Sequence, residues 1–415
     1  MVTNILIYHL ISTLFFETIL LMIVMSNWYI LQRTSDQIET KNRFRLLSIL
    51  PNLNVQRRDK VFQDPHHQVL KQPSVSILVP ARNEATNIGR CVSSLLFQDY
   101  PDFEVLVLDD HSTDETWTIL TQLAAQDNRL RCSKGQPLPE HWLGKHWACH
   151  QLTQQAHGDL FLFTDADTYH HPAALADAVA IMQIKEVDLV TALPRQETLT
   201  WGEKLIVPLI PWSIGTFVPL ALAYRFSWSS LAVGIGQFML FTRTAYNSIG
   251  GHRAIKQLVV DDIALAQRVQ AKGLRWRLMN GSQRIRCRMY RNFAQAREGL
   301  SKNLFSVFHG HISFFVFVWV WLFIVFIIPP FLLIVSLMGV SLLPIVTTLS
   351  ILAICLALPA WGAIYWQFCL PLYLTFLYPL TIVMAVYLAA RSFTLNLTGR
   401  ATWKGRRLTK TAIHS

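Results

Sequence analysis

From Asn303 to Ala390 the chain carries no Asp, Glu, Lys or Arg. An uncharged stretch of that length cannot be the surface of a water-soluble fold, so it reads as a bundle of membrane-spanning helices. Interruptions near Gly339 to Ser341 and near Gln367 divide it into about three spans, at roughly 20 residues per crossing. A second apolar run covers residues 5 to 32. It ends in Trp28 and Tyr29 and is followed by Arg33, Lys41, Arg43 and Arg45. No positive charge precedes this run and no small-residue cleavage site follows it. It therefore reads as an uncleaved anchor (1–32) whose C-terminal flank is cytoplasmic. His9 and Glu17 within it are read as facing the bundle interior.

The rest divides accordingly: a polar, basic juxtamembrane connector (33–73), a cytoplasmic domain (74–302), the bundle (303–390) and a basic tail (391–415). The tail holds Arg391, Arg400, Lys404, Arg406, Arg407 and Lys410, which by charge belong on the cytoplasmic side. Three crossings after a cytoplasmic domain would put that tail outside. A hidden fourth span, a re-entrant segment or an exceptional tail would each remove the conflict.

The net charge is +11, yet only 15% of residues are charged and 52% are hydrophobic. That balance fits a membrane protein with a basic cytoplasmic face. The basic residues form no aromatic-interleaved groove, so nucleic acid is not an expected partner. No pair of the six cysteines has Cys-x-x-Cys spacing, so neither a zinc ribbon nor a disulfide framework is expected. The histidines at 141, 146, 150, 157, 170 and 171 lack zinc-site spacing and are read as loop and helix-face residues.

Between 74 and 190, strand and helix patterns alternate. Strands are expected at Val75–Val79, Phe103–Leu108, Leu160–Phe163 and Val187–Thr191, and helices at Asn87–Phe97 and Asp114–Ala125. This predicts an α/β fold with a mostly parallel sheet covered by helices. Residues 201 to 224 are apolar but contain Pro208, Pro211 and Pro219. They are read as an interfacial helical segment, with a buried core element as the equal alternative.

Polar clusters follow the expected strands. Pro80, Arg82, Asn83 and Glu84 follow the first and are candidates to hold a nucleobase or ribose, or form a capped turn. Asp109 and Asp110 follow the second, with Ser112, Thr113 and Asp114 suited to capping the next helix. Lys145, after Trp142-Leu143-Gly144, is a point charge for a phosphate or a plain surface lysine. Asp165 and Asp167 follow the strand Leu160–Phe163. Side chains at i and i+2 of an extended chain share a face, so both carboxylates can meet one Mg²⁺ or Mn²⁺. The same residues also suit an Asp-rich turn. Gly234, Gly236 and Gln237 allow close backbone approach to a ligand. Asp261 and Asp262 open an expected helix, Ile263–Lys272. One of them is either a helix cap or the base that takes a proton from an attacking hydroxyl. Arg297 and Lys302 can neutralise a departing diphosphate or simply flank the membrane.

In this order, over roughly residues 74 to 305, the clusters resemble the inverting family 2 glycosyltransferases with the nucleotide-sugar-binding, GT-A-like α/β fold. The resemblance implies that Asp109 and Asp110 contact the nucleobase. It places Asp165 and Asp167 at the metal and diphosphate, and makes Asp262 the general base. Asp261 stands where the family usually has Glu. The Trp-Leu-Gly-Lys, Gly-Gln-Phe, Gly-Gly-His, Ala-Leu-Ala and Gly-x-Ser-Lys-Asn pieces look like the membrane branch that includes carotenoid- and hopanoid-associated enzymes. The Gln-x-x-Arg-Trp motif of processive synthases is absent in strict form. Gln295-Ala-Arg297 is the nearest piece, and Leu300 stands in place of the tryptophan. The implied activity is single sugar transfer from a nucleotide-sugar donor to a lipid acceptor. A polysaccharide or polyprenyl-phosphate sugar synthase is the alternative, and a non-catalytic membrane scaffold a further one.

Overall fold

A computed structural model describes residues 2–49, 72–308, 310–400, 402–403 and 406–407, and side chains within 4–37, 72–308 and 310–400. The tail residues Lys404 and Lys410, and 50–71 of the expected connector, lie outside the described residues.

The first helix, α1 (Val2–Ile49), continues well past the expected end of the anchor at 32, and its apolar span is Asn4–Gln37. The domain then runs β1 (Val75–Ala81), α2 (Ile88–Leu96), β2 (Phe103–Asp109), α3 (Thr116–Ala124), β3 (Leu130–Lys134), α4 (Gly144–Gln155), β4 (Leu160–Phe163), β5 (Thr168–His170), α5 (Ala174–Ile184) and β6 (Leu189–Gln196). Three short helices follow: α6 (Trp201–Ile206), α7 (Leu209–Phe217) and α8 (Leu220–Arg225). The domain closes with β7 (Met239–Thr242), α9 (Arg243–Ser248), α10 (Asp261–Ala271), β8 (Trp276–Cys287) and α11 (Phe293–Ser301). Three long helices complete the chain: α12 (Ile312–Leu337), α13 (Pro344–Gln367) and α14 (Tyr378–Thr398).

The strands form one mixed sheet of order β3-β2-β1-β4-β7-β6-β8-β5. β1 to β4 are mutually parallel and β6 pairs parallel with β8, while β7 and β5 run antiparallel to their neighbours. The carboxyl ends of β1, β2, β4, β6 and β8 therefore share one edge. The turn entering β7 and the turn between β4 and β5 reach the same edge. Central strands such as β1 are almost wholly buried because helices cover both faces. One face packs on α2 and α5. The other packs on α4 and α10 and continues without a break into the long helices.

The 201–224 segment provides that continuity. Pro208 and Pro219 sit at the N-caps of α7 and α8, where a missing N–H costs nothing. Trp212, 2% exposed, stacks on Trp361 of α13 with ring centroids 4.3 Å apart. Asn27 of α1 donates to the carbonyls of Gly215 and Val218 (2.9 and 2.8 Å) and accepts from Leu220 N (2.9 Å). Trp201, 61% exposed, remains on the outside.

α12 is about 39 Å long at ~1.5 Å per residue, enough to cross a bilayer. Its start meets the α/β domain through Phe305 and Phe315, whose centroids lie 5.2 Å apart. Its other end clusters with Leu10 of α1 and Val346 of α13. α13 returns, and the carbonyl of Gln367 accepts from Asn280 Nδ2 (3.2 Å) on β8. α14 is also long and apolar enough to span a membrane, if counted from Leu372 to Thr398. Its packing differs. Tyr378 meets Phe326 and Trp361 (5.9 and 5.8 Å), about 16 Å along α12 from Phe315. Phe393 meets Phe305 and Phe315, and Ser392 Oγ accepts from Phe305 N (2.9 Å). Thus α14 begins beside the middle of α12 and ends beside its domain-side start.

Candidate active site

The loops after β1 and β2 are knitted together. Asn83 Oδ1 accepts from Thr113 N (2.8 Å), Asn83 N donates to Ser112 Oγ (2.9 Å), and Glu84 N donates to Thr116 Oγ1 (2.8 Å). Arg82 donates to the carbonyl of Asp110. Asp109 and Asp110 are buried, and Asp109 Oδ1 accepts from Ser112 N (3.2 Å). The N-cap of α3 is Glu115, not the expected Asp114, which stands one residue before it and accepts through Oδ1 from Thr116 N (3.1 Å). The Asn83 side chain therefore ties the two loops together, and the two aspartates are buried beside them.

The centre of the site is Lys145, at the start of α4. Its Nζ lies 2.9 Å from Asp165 Oδ1 and 3.3 Å from Asp261 Oδ2. One ammonium thus joins carboxylates separated by almost a hundred residues. Burial alone would lower the Lys145 pKa, but Asp165 and Asp261 hold it well above its ordinary value. Burial likewise opposes ionisation of Asp261, and the Lys145 charge overrides it, leaving this carboxyl below the usual range. Asp262 behaves oppositely. Burial and the neighbouring Asp261 push it up to about 6. Two adjacent acids with pKa values driven apart are the arrangement that separates a permanent anion from a proton acceptor. Asp262 Oδ2 accepts from Gly236 N (3.0 Å) and Oδ1 from Ile263 N (2.8 Å), which fixes the carboxylate at the mouth of α10.

The glycines before Gln237 face that carboxylate, whereas the sequence had them approaching a ligand. A Cβ on Gly236 would stand 3.2 Å from Lys145 Nζ and 3.5 Å from Asp262 Oδ2, and one on Gly234 would strike the Asp262 carbonyl. Gln237 is buried. Its side chain donates to Cys287 Sγ (3.2 Å) and accepts from Gln196 (3.1 Å).

Asp165 and Asp167 occupy the turn between β4 and β5. Both act on the same two groups: burial, then Asp167 and Asp165, raises the pKa of the Cys287 thiol and the Tyr290 hydroxyl. Both carboxylates therefore lie within electrostatic range of the same two side chains. Among the described residues, no three His, Cys, Asp or Glu are gathered to hold a metal by themselves. The donor set nevertheless fits a hard divalent cation that takes its remaining ligands from phosphate oxygens and water. α11 reaches the cleft through Gly299 against the Tyr290 ring, while Arg297 stands 6.0 Å over Phe293 and Lys302 is the C-cap.

His146 and His170, read from spacing as helix-face and loop residues, belong to the interior, and so does His252. His146 Nε2 is 3.9 Å from Asp261 Oδ2, and its Nδ1 meets the Lys256 carbonyl (3.2 Å). His170 is 2% exposed at the end of β5, where burial pushes its pKa down to about 3. His252, in the Gly-Gly-His piece, bonds Tyr246 Oη through Nδ1 (2.7 Å), and burial lowers it to about 3. The signal for His170 was present: in Thr168-Tyr169-His170 the alternation places Thr168 and His170 on one face.

The profile described as Glycosyl transferase family 2 matches residues 76–250, the span that carries these loops. That region carries the family match, and the chain is a glycosyltransferase. It is 25% identical over 282 residues to a 4,4'-diaponeurosporenoate glycosyltransferase of Staphylococcus aureus (strain MRSA252), covering 63% of this chain and 70% of that one. It is 27% identical over 237 residues to a beta-monoglucosyldiacylglycerol synthase of Nostoc sp. (strain PCC 7120), covering 54% of this chain and 48% of that relative. Among solved structures, a mannosyltransferase from Pyrobaculum calidifontis in complex with GDP-Man and Mn²⁺ aligns over 88% of this chain and 99% of its own, at 18% identity and a TM-score of 0.49.

Proposed function

We propose that this glycosyltransferase moves one sugar, with inversion, from a nucleotide-sugar donor to a lipid acceptor of the carotenoid, hopanoid or similar class at the membrane surface. The observation that carries the reading is the Lys145 bridge, which draws the carboxylates after β4 and those opening α10 into one cleft. The lipid-named relatives support the acceptor class. Asp109 and Asp110, with the Pro80–Glu84 loop, receive the base and ribose. Asp165 and Asp167 hold Mg²⁺ or Mn²⁺, which when bound neutralises the diphosphate and makes it a better leaving group. Lys145 adds a point charge to the phosphate, while Gln237 keeps the wall in place. Asp262 takes the proton as the acceptor oxygen attacks the anomeric carbon. The bond from that carbon to the phosphate oxygen breaks, and the nucleoside diphosphate departs past Arg297 and Lys302. An acceptor that is a carboxylic acid arrives ionised and needs the base less.

The proposed topology has α1, α12 and α13 crossing the bilayer, with α14 a re-entrant helix confined to the catalytic half. Two crossings after the domain then return the basic tail to the same side, and the charge at both ends of the catalytic domain makes that side cytoplasmic. This removes the odd-crossing conflict. Comparing lipid extracts by mass from cells with and without the gene tests the function. A new sugar-bearing lipid supports it, and a polymer product or no glycolipid overturns it.

A further inference from the structure

The turn that carries both Asp165 and Asp167 rests on a hub of three buried side chains, Thr164, Thr168 and His170. Thr164 Oγ1 and Thr168 Oγ1 are 3.0 Å apart, and His170 Nε2 lies 3.0 Å from the first and 2.9 Å from the second. Each hydroxyl also donates to a carbonyl: Thr164 to Gln237 O (2.8 Å) and Thr168 to Asp165 O (2.8 Å). A threonine has one hydroxyl hydrogen, and both are spent on those carbonyls. The hydrogen shared with His170 must therefore come from Nε2, which fixes the ring tautomer by the network around it. The backbone of His170 is tied down separately, its N donating to Ser94 Oγ (3.0 Å).

The two carbonyls belong to different halves of the site. Asp165 O belongs to the metal-binding turn. Gln237 O belongs to the loop whose preceding residue, Gly236, donates to Asp262. The geometry points to His170 as a positioning residue: it donates through Nε2 to Thr164 and Thr168, locking the Asp165–Asp167 turn to the loop that holds Asp262. It touches neither donor nor acceptor. It sets where the first pair of carboxylates stands relative to the second. Partners one layer behind a metal ligand typically change metal affinity about 10–100-fold when removed.

The proposal rests on the metal reading above, and the test separates the two. The probe is Mn²⁺ with UDP, and in parallel with GDP, titrated into the full-length protein in detergent. Free Mn²⁺ is read by electron paramagnetic resonance, with thermal unfolding as a fold control. His170→Phe keeps a ring of similar volume without the donor. His170→Gln offers an N–H near the Nε2 position. We expect His170→Phe to weaken Mn²⁺–nucleotide binding at least tenfold and His170→Gln to stay within about threefold of wild type, with both folded. High Mn²⁺ should restore transfer in His170→Phe. Wild-type binding in His170→Phe beside lost binding in Asp167→Ala overturns the hub. So does equal weakening in both His170 variants that tracks a drop in melting temperature. Wild-type binding in Asp167→Ala overturns the metal assignment, and the role of His170 with it.

Discussion

Replacing Lys145 by Met removes the ammonium that joins the carboxylates while keeping most of the side-chain volume. Its effect on the base follows from distance. Nζ and Asp262 Oδ2 lie 3.2 and 3.5 Å from one point, the position of a Cβ on Gly236, so less than about 7 Å separates them. At an effective dielectric of about 20–40, unit charges that far apart interact by roughly 1–2.5 kcal/mol, or about one to two pKa units. Removing a nearby positive charge makes the ionised carboxylate less favourable, so the Asp262 pKa must rise from its already elevated value of about 6. The acidic limb of kcat/KM should therefore move toward roughly pH 7–8, because a protonated Asp262 accepts no proton. The assay is slow hydrolysis of a labelled nucleotide sugar between pH 5 and 9. Water as the acceptor must lose a proton whatever the natural lipid is. An acidic limb that stays in place, or moves to lower pH, would refute the assignment of Asp262 as base with Lys145 as its electrostatic neighbour.

Other outcomes follow from the same geometry. Asp262→Asn should lower transfer to a hydroxyl acceptor about 10²–10⁴-fold, measured as initial rate with saturating donor; near-normal transfer would point to a carboxylic acid acceptor. Asp167→Ala should be inactive, with no rescue by excess Mn²⁺, and full activity there would sink the metal site. In a cysteine-free background, Ser341→Cys and Thr398→Cys should react with an impermeant maleimide from opposite sides of the membrane. Labelling from one side would mean that α14 crosses.

Much of the fold was legible because it depends on local pattern. The apolar runs Val75–Val79 and Phe103–Leu108 are buried on both faces and became adjacent parallel strands, with the sites Asp109, Asp110, Asp165 and Asp167 at or just past strand ends. β7 and β8 were missed, since Met239–Thr242 is short and Trp276–Cys287 is heavily basic and reads as a membrane flank. Within the site, the Asp261–Asp262 pair stood out from its place before a helix, but the partner of Asp261 did not. Nothing local to Lys145 indicates that it meets Asp261 as well as Asp165. The burial of His146 escaped because its partners, Lys256 O and Asp261, lie more than a hundred residues away in the chain.

By itself the sequence determined that the chain has long apolar helices, an α/β sheet and acidic strand ends, because hydrophobic period and charge are properties of neighbours along the chain. Only the tertiary structure decided that Asp165 and Asp261 share the Lys145 ammonium, that the pKa values of Asp261 and Asp262 are driven apart, and that the last apolar helix begins beside the middle of α12. Those outcomes depend on distances of a few ångströms between residues far apart in the chain, and electrostatic energy and burial respond to that separation.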